Sequence, residues 1–340
     1  MGYGAKSFSA SDLKSIVDRV DIVVFPDINP DGRAYSMAGV PNSNQAMWRK
    51  NRNPVSGGGS TGRAGVDVNR NYDFLWDFPI KFSPGANANT LASTDPGSDL
   101  FHGTGPFSEP ESRNVQWLVD QFANARYFVD VHSYTGDVLY PWGDDENQTI
   151  DSSKSFKNPA WDGQRGVSGD AYKEYLPATR LAELQTAANV MRDGINAVRG
   201  QGYVSKQGFW LWASTYPTSG TSEDWAFTRE FLAPNRGRLS GFVIEFNKNS
   251  DFFPTWAQMV DLIADIDAGL TALCLYARPS RLMVILCAVR HWFSPIVGYW
   301  ATWHRVFPPE LWGPYGPWTR IGRLAKRIAK RIVAVIRGIR

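Results

Sequence analysis

Cysteine is nearly absent from this chain of 340 residues: there are two copies, Cys274 and Cys287, both near the C-terminal end. Two cysteines in that position cannot cross-link the body of the chain, which excludes a disulfide scaffold and leaves the redox compartment open. Histidine is also scarce, with four copies, of which His102 is the first. The opening residues lack the apolar stretch of a secretory signal peptide, and the sequence contains no internal repeat.

Acidic residues are almost missing from one region only. Residues 276–340 carry twelve Lys or Arg side chains and one acid, whereas the preceding 275 residues carry 24 basic and 32 acidic side chains. This asymmetry predicts a body over residues 1–275 and a divergent basic tail over residues 276–340. Apolar residues recur in the tail at helical spacing, which predicts a cationic amphipathic helix over residues 321–340 with weak affinity for membrane surfaces.

The longest apolar run of the tail, residues 282–299, is interrupted by Arg290, His291 and Pro295. A transmembrane span needs about twenty residues without such interruptions, so the run is a poor candidate for one. Two explanations of the tail stay open: a genuine membrane-surface helix, or a frame-shifted terminus. Localisation is likewise left open.

Helix and strand signals alternate along the body. Ser9 to Asp12 supply N-cap candidates for a helix through Arg19, and residues 21–26 are typical of a buried strand. Further helices are predicted at residues 109–125, 177–199 and 254–275, and further strands at 127–131 and 241–246. The polar stretch 144–177 is interpreted as a surface excursion near the site. This alternation predicts an α/β domain with a helix-covered sheet.

Two polar residues lie inside or at the end of predicted strands. Glu245 sits within an apolar run, where a carboxylate is unfavourable unless it is paired or bound, so it either points to solvent or acts as a general base in an apolar cleft. His132 ends the strand Phe128-Val129-Asp130-Val131. A lone histidine is more often a satisfied buried side chain, but the carboxyl end of a strand is where open α/β sheets place their sites.

Basic and amide side chains cluster in the loops before His132. Arg49, Asn69 and Arg70 could each be a surface residue. If they lie together, they form a fork for a carboxylate, because guanidinium groups offer planar paired donors.

Seven ordered motifs over residues 11–275 resemble the zinc-dependent metallocarboxypeptidases of the carboxypeptidase A/B type. Each motif is short, and it is their order that makes the resemblance specific. The motifs are Asn29-Pro30-Asp31-Gly32, Met47-Trp48-Arg49-Lys50-Asn51-Arg52, Gly65-Val66-Asp67-Val68-Asn69-Arg70-Asn71, Phe101-His102-Gly103, Asp130-Val131-His132-Ser133-Tyr134, Thr215-Tyr216 with Asp224-Trp225, and Phe242-Val243-Ile244-Glu245.

The resemblance implies a three-layer α/β sandwich with a mixed, mostly parallel central sheet and helices on both faces. It implies that His132 is a zinc ligand and Glu245 the general base. It also implies that Arg49 stabilises the oxyanion. It further implies that Asn69 and Arg70 bind the substrate's terminal carboxylate and that Tyr216 closes over it.

The resemblance implies that Glu223 sets the preference for the substrate's C-terminal side chain, because it matches a position deep in the family's specificity pocket. An acidic pocket floor favours Lys or Arg at the substrate's C-terminus, unless Glu223 turns outward on its loop. Other matching wall positions are Leu211, Thr215, Thr218 and Val243.

The family's remaining zinc ligands, a His-x-x-Glu pair, lie before the Asn-Pro-Asp-Gly turn, and this chain has no histidine before Asn29. The start of the domain, its opening strands and a neighbouring substrate-binding arginine are therefore expected to be missing. The resulting hypothesis is a metallocarboxypeptidase that uses one zinc ion and acts on peptide or protein C-termini, as a monomer and without nucleic acid. The alternatives are a non-catalytic binder of peptide C-termini and membrane association through the tail.

Overall fold

The computed structural model describes residues 8–40, 44–56, 64–212, 214–233, 237–248 and 252–278, with the backbone of residues 282–286. The chain divides into two compact units, Met1–His291 and Trp292–Arg340. The second unit lies outside the described residues, and the predicted amphipathic helix at 321–340 lies there with it. The predicted boundary at residue 275 stays a prediction.

Seven helices and eight strands occupy the described residues. The helices are α1 (Ala10–Arg19), α2 (Pro30–Met37), α3 (Phe78–Lys81), α4 (Pro110–Gln121), α5 (Ala178–Arg199), α6 (Ser222–Leu232) and α7 (Trp256–Tyr276). The strands are β1 (Asp21–Phe25), β2 (Tyr127–Ser133), β3 (Asp137–Tyr140), β4 (Asn147–Gln148), β5 (Glu174–Tyr175), β6 (Val204–Gln207), β7 (Ser240–Phe246) and β8 (Leu282–Leu286).

Six of the strands form one sheet in the order β1-β8-β2-β7-β3-β6. Neighbours run parallel except β3 and β7, which are antiparallel. β4 and β5 form a separate parallel pair. The predicted α/β sandwich with a mixed, mostly parallel sheet is therefore confirmed.

Helices pack against this sheet and against each other. α6 contacts β2 and β7, α5 contacts β3 and β6, and α7 packs on α5 and α1. The predicted N-terminus of α1 is confirmed by a capping box between Ser9 and Asp12, and α7 begins with a second capping box. The helices predicted at 109–125, 177–199 and 254–275 are confirmed as α4, α5 and α7.

The strand at residues 21–26 exists as β1, but the expectation that it is buried is wrong. Ile22 and Val24 are 42% and 44% exposed. Within the part of the chain that the structure describes, β1 lies at one edge of the sheet and pairs with β8 alone. An apolar run has the same appearance in a central strand and in an edge strand, so the sequence pattern could not distinguish the two.

The first five residues of the apolar run 282–299 form β8, between β1 and β2. The rest of the run lies outside the described residues. Within the described part of the chain, no helix is both long enough and apolar enough to cross a membrane.

The loop that carries Asn69 and Arg70 is fixed by the buried side chain of Asn71. Its Nδ2 donates to the carbonyl oxygens of His102 and Gly105 at 2.9 and 3.1 Å and to the Ser108 hydroxyl at 2.9 Å. Its Oδ1 accepts from the Glu109 amide at 3.1 Å and from the Ser112 hydroxyl at 2.6 Å. One amide group thus joins this loop to the start of α4.

We expect Asn71→Ala to lower the free energy of unfolding by about 3 kcal/mol, because it leaves several buried polar groups without partners. Asn89→Ala, in an exposed loop, is the matched control and should change stability by less than about 0.5 kcal/mol. Urea denaturation measures both values. Similar losses in the two variants would contradict this role for Asn71.

Candidate active site

The pairing of β2 with β7 brings His132 and Glu245 together. The two residues are register partners on adjacent parallel strands. His132 Nδ1 lies 4.0 Å from Glu245 Oε1, and each residue is 8% exposed. Glu245 is therefore buried beside an imidazole and does not point to solvent.

Arg49, Asn69 and His132 line one cleft, together with Asp67 and Asp130. The cleft lies beyond the ends of β1 and β2, where the first turn of α2 and the loop after it approach the sheet. The residues that line the cleft are thus far apart along the chain.

The guanidinium of Arg49 forms an ion pair with the carboxylate of Asp67, which is almost fully buried. Burial is the largest single effect and lowers the pKa of Arg49, but the charge of Asp67 and its hydrogen bond to Arg49, together with electrostatic contributions from Tyr216 and Asp99, outweigh burial, and the net shift is upward. Arg49 is thus held as a cation at the cleft wall.

Asn69 and Arg70 lie on a 3-10 turn, Val68–Arg70, which begins at Asp67: the amide of Asn69 donates to Asp67 Oδ1 at 3.2 Å. Asn69 Oδ1 accepts from the amide of Ser222 at 2.9 Å. The buried guanidinium of Arg70 donates to the carbonyl oxygens of Asn69 and Thr90, both at 2.7 Å. The residues that line the cleft include Asn69 but not Arg70.

Tyr216 packs on an apolar cluster formed by Leu139, Leu211 and Val243. Two of the predicted pocket-wall residues, Leu211 and Val243, therefore lie together beneath this tyrosine. The Tyr216 amide donates to the carbonyl oxygen of Phe209 at 2.7 Å, which fixes the backbone at this point.

Glu223 lies in the first turn of α6 and is half-buried. Burial raises its pKa, with the charge of His132 acting in the opposite direction and that of Asp130 adding to the rise. These interactions place its carboxylate near His132 rather than in open solvent.

Two residues near His132 were given no role by sequence reasoning: Asp130, which belongs to one of the motifs, and Ser222, which belongs to none. Asp130 Oδ2 lies 3.0 Å from His132 Nε2 and accepts from the hydroxyl of Ser222 at 2.7 Å. Asp130 could have been found from its spacing, since residues two apart in a strand lie on the same face of the sheet. Ser222 offered no comparable signal, because α6 is brought to β2 by the tertiary fold.

The donor atoms near His132 do not complete a zinc site. Catalytic zinc is held by three protein ligands and a water molecule. Among the residues that the structure describes, no group of three or more His, Cys, Asp or Glu side chains is placed to hold a metal ion. His132 is therefore a single candidate ligand.

The stretch 144–177, predicted to be a surface excursion, is partly interior. Four of its charged side chains are fully buried, and the prediction is wrong for them: Asp144, Asp145, Arg165 and Glu174. Glu174 accepts from the hydroxyl of Tyr172 at 2.5 Å and lies 4.0 Å from Arg165 Nε. Polar composition suggested exposure, but interior hydrogen bonds hold these side chains: Asp145 accepts from the amide of Gly166 at 2.6 Å, and Arg165 donates to Asp162 at 2.9 Å.

The buried carboxylate of Asp224 supports the loop that carries Tyr216. Asp224, which follows Glu223, accepts from the amide of Gly143 at 3.0 Å, and the Gly143 carbonyl accepts from Thr218 at 2.9 Å. Burial raises the pKa of Asp144 to about 6 and that of Asp145 to about 8. Burial, together with the charge of Asp144, also raises the pKa of Glu174.

A sequence profile of the zinc carboxypeptidase family matches residues 4–264. The chain belongs to that family, and it is similar to metallocarboxypeptidases of the A and B types.

Individual relatives match over parts of their length. Carboxypeptidase B of Astacus astacus is 35% identical over 40% of this chain and 39% of its own length. Carboxypeptidase B of Bos taurus is 28% identical over 68% of this chain and 45% of its own length. An inactive metallocarboxypeptidase of Arthroderma otae is 31% identical over 42% of this chain and 21% of its own length. The matches thus span less than half the length of each of these relatives.

Among solved structures, carboxypeptidase A from Helicoverpa armigera matches this chain with a TM-score of 0.47 and 22% sequence identity. The match covers 74% of this chain and 50% of the chain of that structure.

The raised pKa of Asp144 gives stability a pH dependence. In the native state this carboxyl keeps its proton up to about pH 6, whereas in the unfolded chain it ionises near pH 4. Between these values the native state binds more protons, so this group's contribution to stability falls as pH rises. We expect Asp144→Asn to remove this loss and to gain about 1–2 kcal/mol relative to the parent between pH 4.5 and 7.5.

Urea denaturation at the two pH values measures the gain. Asp193→Asn is the control, because Asp193 lies on α5 with its side chain 66% exposed. A relative gain of the same size in both variants, or none in Asp144→Asn, would rule out burial of this carboxyl as the cause.

Proposed function

We propose that this chain forms part of a zinc-dependent metallocarboxypeptidase that hydrolyses the C-terminal peptide bond of peptides and proteins. The observation that supports the proposal is that His132, whose Nδ1 lies 4.0 Å from Glu245 Oε1, lines one cleft with Arg49 and Asn69. An imidazole, a buried carboxylate, a cation and an amide are the groups that such a hydrolysis uses.

Binding of the substrate is assigned to the cleft wall. Arg49 offers charge-assisted hydrogen bonds to a carbonyl oxygen or carboxylate of the substrate. Asn69 lines the same cleft, and its Oδ1 is already held by Ser222, so its Nδ2 is the group that it would offer to the substrate. Arg70 joins them only if its guanidinium leaves the carbonyl of Thr90, and Tyr216 would cover the bound end of the peptide.

Glu245 is assigned the role of general base and acid. Its carboxylate lies in a largely buried position, where a proton can be taken up and returned without exchange with bulk water. In the family, zinc supplies a hydroxide near neutral pH. No step is assigned to the metal here, because His132 is the one candidate ligand among the described residues.

Preference for a basic C-terminal residue is assigned to Glu223. A half-buried carboxylate near the cleft attracts a Lys or Arg side chain and disfavours an acidic one.

We expect a fluorescent peptide with a free C-terminal Lys to bind at least tenfold more tightly than its C-terminal amide, since the amide removes the charge-assisted hydrogen bonds. Arg49→Gln should reduce this difference, and Glu223→Gln should reduce the preference for Lys over Leu at the last position. Fluorescence anisotropy measures each dissociation constant.

Arg238→Gln is the matched control for this binding assay, because Arg238 is an exposed arginine that pairs with Glu183 on the surface. Circular dichroism should confirm that Arg49→Gln is folded, since the variant leaves Asp67 without its cation. Equal affinity of the parent chain for the acid and the amide would remove carboxylate recognition from the proposal.

Hydrolysis is expected to depend on Glu245. Any zinc-dependent release of the C-terminal residue of the same peptide should be slowed by Glu245→Gln by about 10²–10⁴-fold, a typical contribution of a general base. Peptide affinity should stay within about threefold of the parent value. Glu183→Gln, an exposed carboxyl on α5, serves as the control.

A second candidate function is non-catalytic binding of peptide C-termini. It is favoured by one observation: the described residues supply a single candidate metal ligand, whereas Arg49 and Asn69 both line the cleft. Selective binding of free carboxylates without release of an amino acid, with and without zinc, would establish this function in place of hydrolysis.

A further inference from the structure

Arg33 is a second arginine of the cleft, and it has no role in the function proposed above. It lies near the start of α2 and lines the same cleft as Arg49 and Asn69. Its side chain is 11% exposed, so it belongs to the wall of the cleft rather than to the outer surface. By contrast, Arg70 does not line the cleft.

The start of α2 is fixed against the loop that carries Arg49. Asn29 Oδ1 accepts from the amide of Gly32 at 3.0 Å, and Asn29 Nδ2 donates to the carbonyl oxygen of Lys50 at 3.1 Å. A Cβ atom at Gly32 would lie 2.3 Å from that carbonyl oxygen, so the absence of a side chain allows the two backbones to approach this closely. The residue before Arg33 is thus packed against the residue after Arg49.

The two arginines differ in how well they are paired. Arg49 forms an ion pair with Asp67, whose side chain is 1% exposed. Arg33 Nη1 lies 3.6 Å from Asp27 Oδ2, which is longer than a direct hydrogen bond, and the side chain of Asp27 is 31% exposed. Burial lowers the pKa of Arg33, and the attraction of Asp27 only partly opposes this effect.

One nitrogen of Arg33 has no acceptor in the part of the chain that the structure describes. This atom is Nη2, and it is buried. A buried donor without an acceptor is unfavourable, and a guanidinium group binds a carboxylate through charge-assisted hydrogen bonds. A carboxylate in the cleft would therefore stabilise Arg33 more than Asp27 does.

The two cations occupy separate positions in the cleft. Each has its own acidic partner, Asp67 for Arg49 and Asp27 for Arg33, and each is carried by a different segment of the chain. The function proposed above gives the carboxylate at the end of the peptide to Arg49 and Asn69. Arg33 is left for a second carboxylate on the same peptide.

We propose that Arg33 is a specificity-determining residue, whose guanidinium binds the carboxylate of an Asp or Glu side chain that precedes the C-terminal residue of the peptide. The inference rests on the proposed function and adds a substrate class to it, namely peptides with an acidic residue close to the C-terminus. The positive charge of Arg33 attracts such a side chain and disfavours a basic one at the same position.

The test uses fluorescent peptides that end in Lys and carry either Glu or Gln at each preceding position, as free acids and as C-terminal amides. Fluorescence anisotropy with the full chain measures each dissociation constant. The parent should bind the Glu peptides about fivefold or more tightly than the Gln peptides, as free acids and as amides, because the contact with arginine is charge-assisted. Arg33→Gln should remove this preference. Arg33→Lys keeps the charge but not the planar fork, and it should keep part of the preference.

Arg238→Gln removes an exposed arginine and is the matched control for the loss of one positive charge, so it should keep the preference for Glu. Circular dichroism shows whether Arg33→Gln is folded. If it is not, the comparison passes to Arg33→Lys, in which an undiminished preference for Glu would count against the inference. An equal preference for Glu in the parent and in folded Arg33→Gln would overturn it. So would a loss of affinity in Arg33→Gln that follows the terminal carboxylate instead of the Glu side chains.

Failure of this inference is distinguishable from failure of the proposed function. A parent chain that prefers the free acid to the amide but does not distinguish Glu from Gln overturns the role of Arg33 and leaves carboxylate recognition in place. A preference for Glu that depends on Arg33, without release of an amino acid, keeps the inference and removes hydrolysis.

Discussion

The site depends on the parallel pairing of β2 with β7. Seven residue pairs are in register, from Tyr127 with Ser240 to Ser133 with Phe246. Side chains on both faces of these two strands are buried, so a slip of one residue would exchange them between the faces and disrupt the packing of each. The same register that buries Phe128 and Ile244 sets His132 opposite Glu245, so the apolar core positions the polar pair.

The approach of α6 to this strand pair adds the polar groups that support His132. Gly241 in β7 makes the approach possible: a Cβ atom there would lie 2.1 Å from the carbonyl oxygen of Glu223. Because the start of α6 can lie directly on the sheet, Ser222 reaches both Asp130 and Asn69. Close backbone packing at Gly241 is thus what brings Ser222 within hydrogen-bond distance of Asp130 and Asn69.

Much of the fold followed from the sequence, because helical periodicity and apolar runs are local signals. The bounds of α5 and β7 lie within one residue of the predicted ranges. The convergence of Arg49, Asn69 and His132 followed from the resemblance of ordered motifs rather than from local pattern. The exposure of β1 and the burial of Asp144 did not follow, because each depends on neighbours distant in the chain.

The structure also separates two parts of the site that the motifs treated together. Arg49 and Asn69 lie in loops before β2 and are fixed by Asp67, Asn71 and Ser222, and none of these contacts involves a metal. His132 and Glu245 lie on the strands, where a single imidazole cannot hold zinc firmly. Under the proposed function, binding of a carboxylate by Arg49 and Asn69 would therefore not depend on the metal ligands, because the contacts that fix these two residues are separate from those of His132 and Glu245.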